Sequence, residues 1–411
     1  MSRRLVILTQ WFPPEQAPFG QMMFELATDL ANRGWEVTVI TGFPNHPVGR
    51  VYPGYRRRLL SRERAGNIWV WRVWLSTSPR RTLLNRLLTF ASFTLTATGA
   101  LLACERPDII FAVLQPLSVG AVLPLIARVK NSRLVFNLQD LHPDAQIRLG
   151  LIRSPSVIRV LRALESHAYR TCDALTVICD AFRARAIERG APPQKVEVIE
   201  NWIDTDEIAP GARDNEFRRA AGCRPEDFLV LWAGTLGHVA GAEILPAAAE
   251  QLAANREIQF VIVGEGPALQ TLQQTAASRS LANVHFMPFQ PRERLPEVQS
   301  SADVSVVTLA RDFGEVSVPS KVLGYMAAGR PMVAAVPEES ATAGIVRASG
   351  CGQVVPVGDP AALAQAIRAY AADPQEALQD GRRGREYVLA HWSRARAAMR
   401  YAELFDRVQQ S

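Results

Sequence analysis

The stretch Ser317-Val-Pro-Ser-Lys-Val-Leu-Gly-Tyr-Met-Ala-Ala-Gly-Arg-Pro-Met-Val333 is the most informative part of this chain. Its pattern predicts a turn that ends at Pro319, a short helix over residues 320–328 and a buried strand over residues 331–335. Gly329 stands where a helix C-terminus prefers a residue with positive φ. A short helix that leads directly into a buried strand is typical of α/β proteins.

The start of this predicted helix has the chemistry of an anion site. Ser320 is a favourable N-cap, Ser317 adds a second hydroxyl and Lys321 adds an amine. Free N–H groups at a helix N-terminus attract phosphate and carboxylate groups. An ordinary α/β loop would explain an isolated Ser-Lys pair equally well, so the interpretation depends on the rest of the chain.

Length and composition indicate a large globular protein. A chain of 411 residues exceeds the size of a single core, so two domains are expected. The apolar content of 48% and charged content of 21% are globular values. The five cysteines lack CxxC spacing, which favours reduced thiols over disulfides or a zinc site. The first residues are interpreted as a strand, since the apolar run is too short for a signal peptide.

Strands and helices are predicted to alternate along the chain, which indicates an α/β protein with parallel sheets covered on both faces. The alternation breaks in a polar stretch over residues 201–227 and then restarts. We therefore expect two Rossmann-like domains facing a cleft, with a final helix that could return to the first domain. The predicted segments are 1–200 for the N-terminal domain, 201–227 for a linker, 228–391 for the C-terminal domain and 392–411 for the last helix.

Positive charge is concentrated in the first half of the chain. Residues 1–200 contain 26 basic and 15 acidic side chains, and residues 201–411 contain 20 and 25. The excess is concentrated in arginines 56, 57, 58, 62, 64, 72, 80, 81 and 86. No nucleic-acid partner is expected, because exposed aromatics are not interleaved with these arginines and no helix-turn-helix or zinc pattern accompanies them.

The segment Leu87–Cys104, which follows the arginines, contains no charged residue. A helix partly buried in the first domain that also touches a bilayer surface is the favoured interpretation. A plain core helix stays open. A true membrane span is disfavoured, because the segment has only 18 residues and several are threonine or serine.

Ligands of open α/β sheets bind at the carboxyl ends of strands, so the loops after the strands hold the candidate site residues. In the first half, a long loop with Glu15 leads to Gly20, and a second loop carries Asn45 and His46. Asp140 and His142 follow the predicted strand over residues 134–138.

In the second half, Gly234 and Thr235 follow one predicted strand and Gly264 follows the next. Neither loop is a GxGxxG fingerprint, so a dinucleotide cofactor is not expected. Glu315 lies shortly before Lys321 in the stretch that leads into the opening motif.

In their order along the chain, these pieces resemble family 4 glycosyltransferases of the GT-B fold. The closest resemblance is to the branch that transfers amino- or deoxy-sugars in bacterial surface polysaccharide synthesis, of the colanic-acid and O-antigen type. The matching segments are Phe12-Pro-Pro-Glu15, Thr41-Gly-Phe-Pro-Asn-His46, Tyr52-Pro-Gly-Tyr55, Val198-Ile-Glu-Asn-Trp-Ile-Asp204, Val263-Gly-Glu-Gly-Pro267 and Pro319-Ser-Lys321.

The resemblance implies a retaining transfer from a nucleotide-sugar, with a UDP-sugar favoured, to a lipid-linked or saccharide acceptor, without a metal or other cofactor. The donor would be held mainly by the C-terminal domain, and the enzyme would work at the cytoplasmic face of the inner membrane. The donor-binding residues would be Gly20, Gly234, Thr235, Gly264, Ser317, Ser320 and Lys321. The catalytic residues would be Asp140, His142, Lys321 and Glu315, and the acceptor-binding residues would be Glu15, Asn45 and His46.

Three departures from the family pattern stand out. The glutamate expected before Tyr325 is Gly324, and a basic residue expected before Gly241 is Ala240. A histidine often found at the end of the fifth strand is Gln139. Two other interpretations therefore stay open: a catalytically weakened, membrane-associated GT-B scaffold, and a nucleotide-sugar epimerase of the same fold.

Overall fold

The structure is a computed structural model, which describes residues 3–15, 17–55, 58–80, 82–141, 143–144, 147, 152–237, 239–311 and 321–410. The chain divides into two compact units. Unit 1 comprises Met1–Asn201 with Arg394–Ser411, and unit 2 comprises Trp202–Ser393. Each unit is built on a sheet that is wholly or mostly parallel, with helices between the strands, so the predicted α/β class is confirmed.

The sheet of unit 1 has β1 at its centre. Its strands are β1 Arg3–Leu8, β2 Trp35–Gly42, β3 Leu60–Ala65, β4 Ile68–Val73, β5 Ile109–Val113, β6 Arg133–Leu138, β7 Ala174–Val177 and β8 Val196–Val198. Within the described residues their order is β3-β4-β2-β1-β5-β6-β7-β8, and all pairs are parallel except β3 with β4. Strand β5 is buried at every position, because helices cover both faces of a parallel sheet.

The helices that precede the boundary between the units lie between strands of the sheet, in line with the predicted alternation. They are α1 Pro18–Asn32, α2 Leu83–Ala103, α3 Ser118–Lys130, α4 Pro155–Thr171 and α5 Asp180–Glu188, with a 3₁₀ turn at Pro193–Lys195. Helix α2 begins at an N-cap residue, Thr82, whose side chain accepts a hydrogen bond from the backbone N–H of Asn85.

The sheet of unit 2 is parallel throughout and has β9 and β12 at its centre. Its strands are β9 Phe228–Ala233, β10 Ile258–Val263, β11 Val284–Met287, β12 Val304–Thr308, β13 Met332–Ala335 and β14 Gly352–Val355. Their order in the described residues is β11-β10-β9-β12-β13-β14. The helices are α6 Glu216–Ala220, α7 Ile244–Gln251, α8 Leu269–Ser278, α9 Leu295–Ser300, α10 Lys321–Ala327, α11 Ala341–Ser349, α12 Pro360–Ala372 and α13 Pro374–His391, with a 3₁₀ turn at Arg292–Arg294.

The helix and strand expected from the opening motif are present. Helix α10 begins at Lys321, and Gly329 follows it with φ +66°, the left-handed conformation that a helix end favours. Strand β13 then continues the chain into the centre of unit 2, where all four of its residues are buried.

The polar stretch interpreted as a linker is instead part of unit 2. Ile208, Phe217 and Ala221 are buried in one of the cores of that unit, and Arg218 is buried where it pairs with Asp303 at 3.0 Å. The sequence signal was misleading because this segment is polar and only weakly periodic, although its larger apolar residues, such as Trp202, Ile208 and Phe217, are buried.

The last helix, α14 Arg394–Gln410, belongs to unit 1. Tyr401 and Phe405 are buried, with ring centroids 5.3 and 5.5 Å from the ring of Phe111. The guanidinium of Arg394 pairs with the carboxylate of Asp29 at 2.7 Å. The C-terminus of the chain therefore completes the hydrophobic core of the first unit.

The hairpin β3–β4 was not predicted, and it places two of the arginines of the basic region next to tryptophan rings. It turns at Gly66, whose φ is +61°, as a tight hairpin requires. Arg62 stacks 3.9 Å above the ring of Trp71, and Arg64 lies 5.7 Å from that of Trp69. Trp69 is 43% exposed, so the expectation that no exposed aromatics accompany these arginines was wrong.

Arg72 is not a surface residue. It is only 3% exposed, its Nε donates to the carboxylate of Glu63 at 2.6 Å, and an Nη donates to the backbone oxygen of Pro13 at 2.6 Å. This arginine therefore fixes the loop after β1. It is not one of the arginines that could face a membrane.

Helix α2 is partly buried. Phe93, Ala97 and Leu101 pack inward, whereas one side of the helix exposes leucines 83, 84, 87, 88, 95 and 102. Within the described residues it is the one helix long and apolar enough to cross a membrane, and a third of its most apolar window is buried.

Candidate active site

The candidate donor site lies at the carboxyl ends of β9 and β12 in unit 2. The chain leaves β9 toward β10 on one side, whereas β12 lies on the other side of β9. Such a reversal of strand order opens a crevice, which is where open α/β sheets bind ligands. Gly234 and Thr235 follow β9 directly, and α10 with Lys321 enters from the segment after β12.

Glycine allows two loops at this edge to pack backbone against backbone. A Cβ at Gly264 would lie 1.9 Å from the carbonyl oxygen of Gly234, and one at Gly266 would lie 2.4 Å from that of Leu236. The N–H of Gly234 donates to the Val263 carbonyl at 2.9 Å. The close approach excludes any side chain at Gly264, so glycine is required here for the two loops to pack together. Thr235 is exposed at the same edge.

Lys321 projects onto this pair of loops. Its Nζ lies 3.6 Å from the ring centroid of Trp232 and 2.9 Å from the place that a Cβ on Gly234 would occupy. Among the described residues no carboxylate pairs with this amine. Desolvation of the charged form lowers the pKa of Lys321 to about 7.

Two aromatic residues that the sequence analysis did not single out hold Lys321 and its helix in place. Trp232 donates from its indole N–H to the hydroxyl oxygen of Thr308 at 2.9 Å, which ties β9 to β12. The backbone N–H of Ala233 donates to the hydroxyl oxygen of Tyr325 at 2.8 Å, one turn after Lys321. Tyr325 lies in the opening motif and Trp232 lies two residues before Gly234, but an aromatic residue in a strand or helix is usually a core residue.

The position where the family pattern expects a glutamate is filled differently here. A Cβ on Gly324 would lie 2.4 Å from Nε2 of Gln299 in α9, so the amide of Gln299 occupies this space. The remaining predicted residues of this region, Glu315, Ser317 and Ser320, lie outside the described residues.

In unit 1, Glu15 organises two loops at the carboxyl edge of the sheet. It is 4% exposed, and its carboxylate accepts from the backbone N–H groups of Asn45 and His46 at 2.8 Å each and of Phe12 at 3.3 Å. Burial raises the pKa of Glu15 above its ordinary value, although these three donors oppose the shift. The structure thus assigns Glu15 to joining the loops after β1 and β2 rather than to an exposed binding group.

His46 and Asn45 stay at this edge with the loop after β1. The rings of His46 and Trp11 have centroids 5.6 Å apart, and the amide of Asn45 donates to the Phe43 carbonyl at 2.9 Å. Gly20 lies inside α1, where a Cβ would come within 3.1 Å of the Trp11 and Phe12 backbone. The glycine therefore lets this loop cross the start of the helix.

The end of β6 carries a polar network beside Asp140. Asp140 itself is exposed. Gln139 exchanges two hydrogen bonds with Asn201, at 2.9 and 3.0 Å, and its amide also donates to Asn137 at 2.8 Å. Asn137 donates to the hydroxyl oxygen of Tyr401 in α14 at 3.1 Å. The glutamine that replaces a histidine of the family pattern is thus part of a connection between strand ends and the C-terminal helix. His142 lies outside the described residues.

A second buried ionisable cluster surrounds Asp144. Burial alone would raise the pKa of Asp144, but hydrogen bonds and charges from Arg185, at 2.6 Å, and Arg189, at 3.1 Å, hold the pKa below its ordinary value. Glu165 lies nearby, 3% exposed, and accepts from the Tyr169 hydroxyl at 2.8 Å. Burial raises the pKa of Glu165 to about 7.

The structure brings the predicted residues together in two separate sets. Gly234, Gly264 and Lys321 meet in unit 2, and Glu15 meets Asn45 and His46 in unit 1. In the part of the chain that is described, no group of three or more histidine, cysteine, aspartate or glutamate side chains could hold a metal ion.

Comparison with known proteins agrees with this geometry. The family model for "Glycosyl transferase 4-like domain" matches residues 20–202, and that for "Glycosyl transferases group 1" matches residues 213–387. The chain therefore belongs to the GT-B glycosyltransferases of family 4, and it is an enzyme of the transferase class. The resemblance noted from the sequence is confirmed.

One curated relative and two solved structures are especially similar. The putative colanic acid biosynthesis glycosyl transferase WcaI of Escherichia coli K12 is 29% identical over 325 residues, which cover 77% of this chain and 79% of that protein. Sucrose-phosphate synthase from Thermosynechococcus elongatus has a TM-score of 0.77 at 20% identity, with 99% of each chain covered. Anabaena HepE, solved in complex with UDP-glucose, has a TM-score of 0.72 at 17% identity, with 98% of this chain and 99% of that chain covered. The similarity to these two structures shows only that the fold is shared.

Proposed function

We propose that this glycosyltransferase takes a sugar from a nucleoside diphosphate sugar, with UDP favoured over GDP, and transfers it with retention of configuration during synthesis of a bacterial surface polysaccharide. The observation that carries the proposal is the desolvated amine of Lys321 beside the glycine loops at the crevice of unit 2. The similarity to WcaI supports the polysaccharide, and UDP-glucose in HepE supports the nucleotide.

The chemistry of the leaving group explains what Lys321 contributes. Negative charge grows on the diphosphate as the bond to the sugar breaks, and a fixed cation nearby stabilises that charge. The effect is stronger in a site with little water, because the effective dielectric constant is lower there. Thr235 and backbone N–H groups of the strand-end loops would add hydrogen bonds. The proposal needs no metal, so chelator treatment should leave the transfer unchanged.

Nucleotide binding is the first test. Calorimetric titration with UDP, GDP and ADP should give the tightest binding for UDP. Lys321→Ala should weaken UDP binding by about 1.5–3 kcal/mol, the range for hydrogen bonds to charged groups, which is roughly 10- to 150-fold. Lys195→Ala, which removes the same charge from unit 1, is the matched control and should bind UDP normally. Unchanged affinity in Lys321→Ala would remove Lys321 from the donor site.

Turnover separates the proposed transfer from the two other interpretations. With a panel of UDP-sugars and a lipid-linked saccharide acceptor, a transferase releases UDP and extends the acceptor. A scaffold would bind UDP without turnover. An epimerase would release an epimerised UDP-sugar without any acceptor.

Asp140 is the group in unit 1 that we propose positions or deprotonates the acceptor, since it is exposed at the end of β6. A positioned base contributes about 10²- to 10⁴-fold to a rate. Asp140→Asn should therefore lower kcat by that factor and leave UDP affinity near normal. Turnover within a few-fold of wild type would make Asp140 structural and move the search to His46.

We also propose that unit 1 adsorbs to the cytoplasmic face of a membrane to reach a lipid-linked acceptor. The exposed leucines of α2 form the apolar part of this surface, and Leu59 (76% exposed) and Trp74 (39%) lie alongside, since Trp74 accepts a hydrogen bond from Thr96 of α2. Exposed arginines flank the helix, with Arg80 and Arg86 at its start. Apolar contact and attraction to anionic lipid together give reversible binding, with about 1 kcal/mol for each basic residue.

Vesicle sedimentation tests this surface. The protein should sediment with anionic vesicles at low salt and be released near molar salt, because salt screens exposed charges. Replacement of Leu83, Leu84 and Leu87 by glutamine should abolish binding. Replacement of Leu378 and Leu389, exposed leucines of unit 2, should not. Equal binding to neutral vesicles, or none to anionic ones, would contradict the proposal.

A further inference from the structure

Lysine is rare in this chain, and each lysine has a specific environment. The sequence contains 43 arginines and only three lysines, at positions 130, 195 and 321. The amine of Lys130 donates to the carbonyl of Cys104 at 2.7 Å, and that of Lys195 donates to the carbonyl of Cys172 at 2.6 Å. Both carbonyls lie at the C-terminal end of a helix, where a compact cation is favourable.

The third lysine, Lys321, sits on an aromatic face instead of at a helix end. The ring beneath it belongs to Trp232, which is 1% exposed and is held by the bond from its indole N–H to Thr308. The Thr308 hydroxyl in turn donates to the carbonyl of Ala240, so the plane of the indole is fixed across the crevice. Gly234 leaves the room above the ring in which the amine lies.

We propose that Trp232 is a positioning residue of the donor site, whose indole face holds the Lys321 amine at the edge where the diphosphate of the donor binds. The inference rests on the proposed function, because it takes a nucleoside diphosphate as the ligand. Trp232 is covered by Lys321 and the core, so it acts through Lys321 rather than by touching the donor.

The contact controls charge as well as position. A cation over an indole face is stabilised by the ring, so Trp232 favours the protonated amine, whereas desolvation favours the neutral one. The nearest titratable group on the same helix is the hydroxyl of Tyr325, whose pKa is raised by burial, so it stays neutral. Among the described residues no charged side chain changes the pKa of Lys321. Asp312 and Glu315 precede Lys321 in sequence and lie outside the described residues.

Proton linkage gives a readout that a purely structural role would not change. A bound diphosphate raises the pKa of Lys321, so affinity is full below the pKa of the free protein, about 7, and falls as pH rises above it. The fall approaches tenfold for each pH unit until the pKa of the complex is reached. Trp232→Leu removes the cation–π contact, so the fall should begin about 0.5–1 pH unit lower. Trp232→Phe keeps a ring face and should lie between wild type and Trp232→Leu.

The experiment is a calorimetric titration of UDP from pH 6 to 9.5 with wild type, Trp232→Leu, Trp232→Phe and Lys321→Met. Dividing each affinity by that of Lys321→Met at the same pH cancels the titration of the phosphate itself. A second measurement uses carbon-13 NMR of the protein with reductively methylated lysines. Lys130, Lys195 and the α-amine are the other signals, so the titration of Lys321 can be assigned directly.

The outcomes are distinct. An earlier loss of affinity and a lower Lys321 pKa in the Trp232 variants support the proposal. A pH-independent loss in those variants, or an unchanged Lys321 titration, would overturn it and make Trp232 a core residue only. Absence of UDP binding to wild type at every pH would instead refute the proposed function, and the NMR titration would still decide whether Trp232 controls the amine. Trp232→Phe, which changes the volume less, covers the case in which Trp232→Leu does not fold.

Discussion

Replacement of Glu165 by glutamine should change how the stability of unit 1 depends on pH. Glu165 is 3% exposed, and within the described chain its Oε2 has no hydrogen-bond partner. Burial raises the pKa of this carboxyl from 4.5 to about 7, with the charge of Asp144 adding to the shift. Because the folded state holds the proton more tightly than the unfolded state, stability falls as pH rises from 4.5 to 7. Above pH 7 the full penalty is present.

The size of the penalty follows from the pKa difference. Each unit is worth about 1.4 kcal/mol, so the buried carboxylate costs about 3 kcal/mol above pH 7. Glutamine keeps an oxygen for the hydroxyl of Tyr169 and carries no charge. The difference in unfolding free energy between Glu165→Gln and wild type should therefore grow by about 3 kcal/mol in favour of the variant between pH 4.5 and pH 8.

Calorimetric unfolding of the full chain at several pH values measures this difference. In a unit of about 200 residues, 3 kcal/mol corresponds to roughly 6–12 °C in Tm. Glu188→Gln is the matched control, because Glu188 is an exposed partner of Arg185, and exposed ion pairs contribute little. A pH-independent difference between wild type and Glu165→Gln would show that Glu165 is ionised normally in the folded protein and refute the reasoning.

Three further substitutions test the close packing at two glycines and the hydrogen bonds to Glu15. Gly264→Ala should destabilise unit 2 by several kcal/mol in thermal unfolding, because its Cβ would overlap the Gly234 carbonyl, whereas Gly237→Ala meets nothing within 4 Å and should be neutral. A Cβ at position 324 would overlap the side chain of Gln299, so Gly324→Ala should stabilise the protein, by about 0.5–1 kcal/mol, only in the background of Gln299→Ala. A double-mutant cycle should therefore show coupling between the two positions. Glu15→Ala leaves three backbone donors without their acceptor and should cost about 1–3 kcal/mol in the unfolding of unit 1, and a normal Tm would contradict the loop connection.

Much of the fold could be predicted because parallel strands buried on both faces are continuous apolar runs. Strand β5, Ile109-Ile-Phe-Ala-Val113, is such a run and is buried at every position. Strand β3 was missed because its sequence, Leu60-Ser-Arg-Glu-Arg-Ala65, is polar and pairs only at the edge of the sheet. The segment after residue 201 was misjudged for a related reason, since a few buried residues such as Phe217 attach it to unit 2.

Local sequence indicates candidate site residues where it determines the backbone conformation. It does not reveal contacts that come from distant segments of the chain. Gly264 and Lys321 were singled out because glycine at a strand end and an amine at a helix start have local meanings. Glu15 was expected to bind the acceptor, because no local pattern shows that the N–H groups of Asn45 and His46 converge on its carboxylate. Trp232 was missed because a tryptophan in a strand is normally a core residue, which it also is.

At one departure from the family pattern, Gly324, the vacant space is filled by a side chain from another part of the chain. The amide of Gln299, 25 positions earlier in the chain, occupies the room above Gly324 where a glutamate side chain would start. Ala240 provides no cation, yet its carbonyl accepts the hydroxyl of Thr308 and so fixes the acceptor of the Trp232 indole N–H. Restoring the family residue at position 324 alone should therefore impair the enzyme. Gly324→Glu should lower UDP affinity because its side chain would overlap the amide of Gln299 and shift helix α10, which carries Lys321. Pairing it with Gln299→Ala should recover binding; an equal loss in the single and double variants would show that the two positions do not share this space.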